Sequence, residues 1–373
     1  MTKKAVILLE DGTLIKGEGF GYQSEAIGEV VFNTGMVGYP ETLTDPSYKG
    51  QILVSTYPLI GNYGVPKNEK DEFGLSNNFE SEKIQIKSYI ISDLCEHPNH
   101  WAKNKTLDEW FFDQKIPGVF GIDTRALTKK LREKGTMMGL VKIFCDKEKI
   151  NKKDLLAKIK KINYSEICSV KEASTKKPFL YKSGGSPKVV LIDCGVKYSI
   201  IKSLLKRNLD VVVVPYNYSF EEIMKFKPQG IVISNGPGDP KDCKETVEVI
   251  KSLMKTDIPI FGICLGTELI SLATGGNTYK LKFGHMGQNH PCINTENKKC
   301  YVTSQNHGYA VDARSLIDFK VLFSNINDNS VEGIKHKTKN IFAVQFHPEA
   351  SPGPTDTGFL FDDFAKMVYN YET

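Results

Sequence analysis

The segment Phe261-Gly262-Ile263-Cys264-Leu265-Gly266 constrains the fold more than any other part of the chain. The apolar residues before the cysteine are typical of a short strand buried on both faces, and residues 267–273 have helical spacing. Gly262 and Gly266 flank the cysteine where a Cβ atom would collide with its surroundings in a sharp turn. The segment therefore predicts a strand, a sharp turn and a helix, with the Cys264 sulfur exposed at the bend.

This position suits a nucleophile. At a helix N-terminus the macrodipole and the free backbone N–H groups favour a Cys264 thiolate and stabilise an oxyanion. A lone cysteine is more often a small buried apolar residue. The flanking glycines and the residues described next favour the nucleophile.

A second candidate segment is Gln345-Phe346-His347-Pro348-Glu349, where an apolar run ends in a histidine and a carboxylate. In an extended chain residues i and i+2 face the same side. His347 is predicted to accept the Cys264 proton and later deliver it to a leaving amine, while Glu349 fixes the imidazole tautomer. Each residue alone has an ordinary explanation, as a packed histidine or a helix cap. The ordered set of Cys, then His-x-Glu at a strand end, favours a catalytic triad.

Strands and helices alternate in the second half of the chain. This order predicts a mainly parallel sheet flanked by helices, with ligands beyond the carboxyl ends of its strands. The loop Gly236-Pro237-Gly238 and Cys264 both fall at that edge. Predicted strands are 189–192, 211–214, 230–233 and 258–263, and predicted helices are 198–207, a short one opening at Ser219 with a capping box, and 246–254.

The length of 373 residues predicts more than one domain. Residues 1–145 are interpreted as a mixed α/β domain with short strands at 4–9, 30–33 and 52–55 and a helix at 123–133. Residues 146–187 are lysine-rich and are interpreted as an amphipathic helix followed by a linker, with a phosphate-binding patch as the alternative explanation of the lysines. Residues 188–373 form the α/β domain that carries the candidate triad.

Charge and composition argue against several function classes. The formal net charge of +5 is weak for nucleic-acid binding, and no apolar run is long enough for a membrane span or signal peptide. The eight cysteines form no CxxC pair, which suits a reducing compartment, so a cytoplasmic protein is expected. Cys95, His97 and His100 lie close in sequence without a second ligand cluster, and we expect no metal site. His285 and His290 are interpreted as structural or near-site residues in a glycine-rich loop rather than as metal ligands.

The second half of the chain carries the landmarks Ser234-Asn235-Gly236-Pro237-Gly238-Asp239-Pro240, the Cys264 turn, Gly284-His285-Met286-Gly287-Gln288-Asn289-His290-Pro291, Ser304-Gln305-Asn306-His307-Gly308-Tyr309-Ala310-Val311 and Gln345-Phe346-His347-Pro348-Glu349. With these motifs it resembles the class I glutamine amidotransferase family. The first half carries Asn33-Thr34-Gly35-Met36-Val37-Gly38-Tyr39-Pro40-Glu41, Thr44-Asp45-Pro46-Ser47-Tyr48, Ile60-Gly61-Asn62-Tyr63-Gly64 and Gly121-Ile122-Asp123-Thr124-Arg125-Ala126-Leu127-Thr128. With these motifs it resembles the N-terminal domain of the carbamoyl-phosphate synthetase small-subunit family.

The resemblance implies hydrolysis of L-glutamine through a Cys264 thioester, with catalytic residues Cys264, His347 and Glu349. It implies an oxyanion site at Leu265 and the Gly236-Pro237-Gly238 loop. It implies that Ser47 reaches the site from the first domain, although local sequence alone suggests a turn residue after Asp45-Pro46. The implied glutamine-binding residues are Ser47, Gly236, Gly238, Leu265, Glu268, Asn306, Gly308 and Tyr309.

Two positions depart from the family motif, and the second has a direct chemical consequence. The family usually has Cys-Leu-Gly-His-Gln, and this chain has Thr267 and Glu268 at the last two positions. An ionised Glu268 only accepts hydrogen bonds, whereas glutamine also donates them. The carboxylate would pair with the substrate ammonium, repel its carboxylate or reduce the thiolate fraction of Cys264. The sequence leaves these three outcomes open.

The resemblance also implies a partner. It is the large subunit of carbamoyl-phosphate synthetase, which uses ATP, magnesium and bicarbonate to make carbamoyl phosphate for arginine and pyrimidine synthesis. No cofactor is expected in this chain, which has no Gly-x-x-x-x-Gly-Lys-Ser/Thr loop. Two alternatives remain: a glutaminase serving another synthetase, and a weakly active glutaminase-like subunit that mainly binds and shapes its partner.

Overall fold

The computed structural model describes residues 3–145, 148, 150–162, 164, 169–184 and 187–371. The chain divides into two compact units. Unit 1 comprises Met1–Glu69 and Ser76–Cys168, and unit 2 comprises Lys70–Leu75 and Ser169–Thr373. Each described helix is too short or too polar to span a bilayer.

Unit 1 is built on a closed β-barrel whose strands follow the order β1-β11-β3-β4-β7-β10-β2. Two further pairs, β5 with β8 and β6 with β9, form small separate sheets. The strands are β1 Lys3–Leu9, β2 Leu14–Gly21, β3 Glu25–Asn33, β4 Gln51–Ser55, β5 Leu59–Ile60, β6 Val65–Pro66, β7 Ser88–Ile90, β8 Asp93–Leu94, β9 Lys103–Lys105, β10 Pro117–Phe120 and β11 Met137–Phe144. The helices are α1 Tyr39–Thr44, α2 Leu107–Asp113, α3 Thr124–Lys134 and α4 Lys152–Lys161, with a 3₁₀ turn at Pro46–Tyr48.

Local signals in unit 1 produce the elements that the sequence predicts. Helix α3 is capped by Asp123, whose Oδ1 accepts from the N–H of Ala126 at 2.8 Å, and Gly135 ends the helix with φ +97°. Helix α4 buries Leu155 and Ile159 on its apolar face, as its spacing predicts, and leaves its lysines on the other. The mixed α/β character is confirmed, whereas closure of the barrel depends on pairing between distant strands that no local pattern indicates.

Unit 2 contains one ten-stranded sheet in the order β12-β14-β13-β15-β16-β21-β20-β19-β17-β18. The five adjacent strands β14, β13, β15, β16 and β21 pair in parallel. Strand β12 at one edge and strands β20, β19, β17 and β18 at the other pair antiparallel. The strands are β12 Phe179–Tyr181, β13 Lys188–Asp193, β14 Asp210–Pro215, β15 Gly230–Ile233, β16 Ile260–Ile263, β17 Thr278–Asn294, β18 Cys300–Val311, β19 Phe319–Asn325, β20 Val331–His336 and β21 Ile341–Val344. The helices are α5 Val170–Ala173, α6 Tyr198–Leu205, α7 Phe220–Met224, α8 Lys244–Leu253, α9 Leu265–Ala273 and α10 Phe359–Tyr369, with 3₁₀ turns at Pro240–Asp242 and Ala313–Ser315.

The central strands of this sheet are buried on both faces. In β13, Val189 and Leu191 join the apolar cluster that includes α6 and α10, whereas Val190 and Ile192 join the cluster that includes α8 and α9. Alternation between two cores explains why these strands are continuous apolar runs rather than alternating ones. The predicted α/β domain with helices on both sides of its sheet is therefore confirmed.

Two local interpretations differ from the structure. Phe179–Tyr181, inside the predicted linker, forms an edge strand paired antiparallel to β14. Gly185 and Ser186 of that linker lie outside the described residues, and the domain boundaries at 145 and 187 remain predictions. His285 and His290 lie in the long strand β17 rather than in a loop, because pairing with β18 extends through the glycine-rich motif.

Candidate active site

The cysteine turn has the predicted strand, bend and helix. Strand β16 ends at Ile263, and Cys264 caps helix α9 with φ 53° and ψ −107°, a conformation that non-glycine residues rarely adopt. A Cβ on Gly266 would lie 2.3 Å from the carbonyl oxygen of Ile233, and one on Gly262 would lie 2.7 Å from Ile270. The glycines are therefore required by close packing of the helix against the sheet.

The Cys264 sulfur is buried, which corrects the expectation of an exposed one. The residue is 2% exposed, and its Sγ lies 3.7 Å from the backbone oxygen of Asn306. Strand β18 covers the turn, a contact between residues 42 positions apart that the local sequence did not indicate.

His347 and Glu349 emerge at the same edge of the sheet. Strands β16 and β21 are parallel neighbours, and the N–H of Cys264 donates to the oxygen of Val344 at 2.8 Å. The Nδ1 of His347 lies 2.7 Å from Oε1 of Glu349. Its Nε2 is buried and has no hydrogen-bond partner among the described residues. A ring oriented by a carboxylate, with its second nitrogen uncommitted, has the arrangement of a general base.

Lys197 is a member of this group that the sequence analysis missed. It is 2% exposed, and its Nζ lies 2.9 Å from Oε1 of Glu349 and donates to the oxygen of Ala350 at 2.6 Å. Burial would raise the pKa of Glu349, but Lys197 and His347 lower it to about 2, so the carboxylate stays ionised. Lys197 follows the carboxyl end of β13. Ligands of parallel sheets bind beyond the carboxyl ends of the strands, so this position was a signal in the sequence.

The glycine loop packs against the start of helix α9. A Cβ on Gly236 would lie 2.1 Å from the oxygen of Cys194 and 2.9 Å from Cδ2 of Leu265. Gly238 has φ +95°, which favours glycine. The predicted residues Gly236 and Leu265 therefore approach each other at the edge of the sheet that carries Cys264.

Glu268 is buried, 3% exposed, in the first turn of α9. Its Oε1 accepts from Nε2 of Gln345 at 2.9 Å, and no cation pairs with it among the residues described. Burial raises the pKa of Glu268 to about 8, the hydrogen bond from Gln345 opposes the rise, and Asp239 adds to it. At neutral pH the side chain is therefore mostly a neutral carboxylic acid, closer to the family's glutamine than the sequence suggests.

Three predicted glutamine-binding residues, Asn306, Gly308 and Tyr309, lie together in β18. The remaining one, Ser47, belongs to unit 1, where it lies in the 3₁₀ turn Pro46–Tyr48 and its N–H donates to Asp45 at 2.9 Å. This is the local turn that Asp45-Pro46 predicts.

Within the described residues, His285, His307 and Glu332 bring potential metal ligands within 4.8 Å of one another. All three are buried and already in hydrogen-bond contact with protein groups. Cys95, His97 and His100 form no such group in the described part of the chain.

Replacing Glu268 by glutamine should stabilise the fold increasingly as pH rises. The ordinary carboxyl pKa is near 4.5 and the folded value is about 8, so the folded state holds a proton that the unfolded state releases in this window. The wild-type fold therefore loses stability, on the order of a few kcal/mol in total, as pH rises from the unfolded to the folded pKa of Glu268. The glutamine side chain of Glu268→Gln does not titrate, so the variant is spared this loss. The difference in Tm between Glu268→Gln and wild type should therefore grow from pH 5 to pH 9. The control is Glu248→Gln, an exposed glutamate on α8; a pH-independent difference for Glu268→Gln would contradict the assignment.

Comparison with known proteins identifies the family. The family model for the carbamoyl-phosphate synthase small chain, CPSase domain, matches residues 7–141, and that for class-I glutamine amidotransferase matches residues 190–367. The carbamoyl phosphate synthase small chain of Pyrococcus furiosus is 47% identical over 369 residues, which cover 98% of both chains. That of Methanocaldococcus jannaschii is 48% identical over 368 residues, 98% of this chain and 99% of the relative. The multifunctional protein CAD of Squalus acanthias is 49% identical over 98% of this chain and 16% of its own length. With such similarity along nearly its entire length, the chain belongs to the carbamoyl-phosphate synthase small-chain family and has a class I glutamine amidotransferase domain.

Proposed function

We propose that Cys264, His347 and Glu349 hydrolyse L-glutamine and release ammonia for carbamoyl phosphate synthesis. The observation that carries this proposal is the uncommitted Nε2 of His347, oriented by Glu349, at the sheet edge where Cys264 adopts its strained turn. The Cys264 thiolate attacks the side-chain amide carbon, and His347 passes the thiol proton to the amide nitrogen, so that the C–N bond breaks and ammonia leaves. Water activated by His347 then cleaves the thioester and releases glutamate.

The oxyanion formed in both steps is assigned to backbone N–H groups. Leu265 is the first residue of α9, and the first N–H groups of a helix have no partner within it. The glycines of the 236–238 loop supply further donors, since Pro237 has none. The packing of Gly236 against Leu265 supports this assignment.

We assign glutamine binding to the residues that the family motifs single out. Asn306, Gly308 and Tyr309 are contributed by β18, beside the nucleophile. Glu268 is contributed by the helix that Cys264 begins. Ser47 and the glycine loop complete the set of Ser47, Gly236, Gly238, Leu265, Glu268, Asn306, Gly308 and Tyr309.

We assign use of the released ammonia to a large subunit that consumes ATP, magnesium and bicarbonate. We assign the complex of the two subunits to the cytoplasm. Membership in a small-chain family supports such a partner, and the match to 16% of the multifunctional protein CAD of Squalus acanthias fits a chain that works beside other units. A glutaminase serving another synthetase is disfavoured by the match over residues 7–141. Glu268 is the one feature that favours the second candidate, a weakly active subunit that mainly shapes its partner.

Cys264→Ser should abolish glutamine-dependent carbamoyl phosphate synthesis and preserve ammonia-dependent synthesis by the complex. A serine hydroxyl is far less acidic than a thiol, so the nucleophile is lost while the fold is kept. Both rates are measured on the copurified complex. Cys300→Ser, an exposed cysteine in the same domain, is the matched control. Unchanged glutamine hydrolysis in Cys264→Ser would refute the nucleophile assignment.

His347→Asn should be nearly as damaging as Cys264→Ser, whereas Glu349→Gln should retain more glutaminase activity. Orienting a base contributes less than being one, so we expect a loss of about 10³-fold or more for His347→Asn and a smaller loss for Glu349→Gln. Steady-state kcat for glutamine hydrolysis checks the order. A larger loss in Glu349→Gln would reverse the two roles.

Kinetics of Glu268→Gln should also show whether Glu268 repels the substrate carboxylate or Cys264, or instead pairs with the substrate ammonium. If an ionised Glu268 repels the substrate carboxylate or Cys264, the change should lower KM for glutamine or speed alkylation of Cys264, by about tenfold for 1.4 kcal/mol. If Glu268 pairs with the substrate ammonium, the change should raise KM. Kinetics and iodoacetamide rates at pH 7 and pH 9 distinguish the cases. Unchanged values at both pH values would remove Glu268 from the binding set.

A further inference from the structure

Glu332, which none of the motifs includes, has a fully buried side chain at the centre of a polar network in unit 2. Its carboxylate accepts from Nε2 of Gln305 at 3.0 Å, from Nδ2 of Asn325 at 3.2 Å and from Oγ of Ser330 at 3.3 Å. Nδ1 of His285 lies 3.2 Å from the same carboxylate. Burying a carboxylate is unfavourable unless its oxygens are satisfied. Here four side chains satisfy them: His285 on β17, Gln305 on β18, Asn325 on β19 and Ser330, which directly precedes β20.

The network continues into strand β18. Gln305 and His307 lie two residues apart and face the same side, and Oε1 of Gln305 lies 3.2 Å from Nε2 of His307. The other ring nitrogen of His307 lies 2.7 Å from the backbone oxygen of Tyr309. A continuous series of contacts thus connects Glu332 to the segment 305–309.

Asn306 lies between Gln305 and His307, whose side chains are fixed by these contacts. Its backbone oxygen faces the Cys264 sulfur at 3.7 Å. On the other side, the backbone oxygen of Glu332 accepts from the N–H of Gln345 at 2.9 Å, two residues before His347. Glu332 therefore contacts both chain segments that flank the nucleophile, one through its side chain and one through its backbone.

We propose that Glu332 is a positioning residue for glutamine hydrolysis, whose carboxylate holds the segment 305–309 in register against Cys264. The inference rests on the proposed glutamine-binding roles of Asn306, Gly308 and Tyr309. Small displacements of substrate-positioning groups have large kinetic effects, and hydrogen bonds to the supporting residues fix such groups. The side chain of Glu332 acts at a distance and contacts no substrate.

The test is Glu332→Gln in the chain purified with its large subunit. Gln keeps the size but places an NH₂ donor where the carboxylate accepts from Gln305 or Asn325. We expect kcat/KM for glutamine to fall by about tenfold, mainly through a higher KM, with ammonia-dependent synthesis unchanged. The double variant Glu332→Gln with Gln305→Glu exchanges acceptor and donor and should recover most of the loss.

Val331→Ala is the matched control, because Val331 is a buried neighbour in the same strand and belongs to an apolar cluster. It should lower Tm without changing KM for glutamine. If Glu332→Gln lowers Tm and leaves both kcat and KM within about twofold of wild type, Glu332 is only structural and the proposal fails. Failure of the swap to recover KM would equally overturn the proposed contact with Gln305.

Two parallel measurements distinguish a failure of the glutamine-binding assignment from a failure of the positioning role. Asn306→Ala tests the proposed binding role of β18, so an unchanged KM there refutes that part of the proposed function independently of Glu332. Dialysis against EDTA should leave glutaminase activity unchanged. Suppose instead that the chain retains one metal ion and loses glutaminase activity on chelation. His285, His307 and Glu332 would then bind that metal, and the hydrogen bonds of the Glu332 carboxylate would not be what positions the segment 305–309.

Discussion

The candidate site depends on the close packing of helix α9 against the sheet. The approach of Gly266 to the Ile233 carbonyl leaves no room for a side chain, and Cys264 takes a strained backbone conformation at the junction. The strain places the sulfur at the start of a helix, where unpaired N–H groups and the helix dipole favour negative charge. A looser junction would allow the cysteine to relax and would separate the proposed nucleophile from the proposed oxyanion donors.

A second constraint is the placement of charge in an interior with little water. Glu349 remains ionised because Lys197 and His347 both contact it. Glu268, four residues after Cys264, has no cation beside it in the described part of the chain and therefore retains a proton near neutral pH. Two buried carboxyl groups thus have opposite protonation states at pH 7. Environment, rather than residue type, decides which of them carries charge.

Buried polar groups also connect strand β18 to strand β20, away from Cys264 and His347. Asn306 faces the sulfur, and the residues on either side of it contact the network around Glu332. Polar groups in this network satisfy one another, so the strand has few alternative positions. Such a network can hold a binding segment more precisely than apolar packing, which tolerates small shifts.

Local sequence was sufficient for the elements that carry strong signals. Buried apolar runs predicted the strands of the parallel core, the capping box at Ser219 predicted the start of a helix, and the glycine-flanked Cys264 predicted the edge of the sheet that carries the candidate site. The His347-x-Glu349 spacing predicted the contact between these two residues, because extended residues two apart share a face. Long-range contacts settled the barrel closure in unit 1, the burial of Cys264 beneath β18, and the positions of Lys197 and Glu332. These features depend on residues far apart in the chain and on burial, which changes the protonation of Glu268 without any trace in its local sequence.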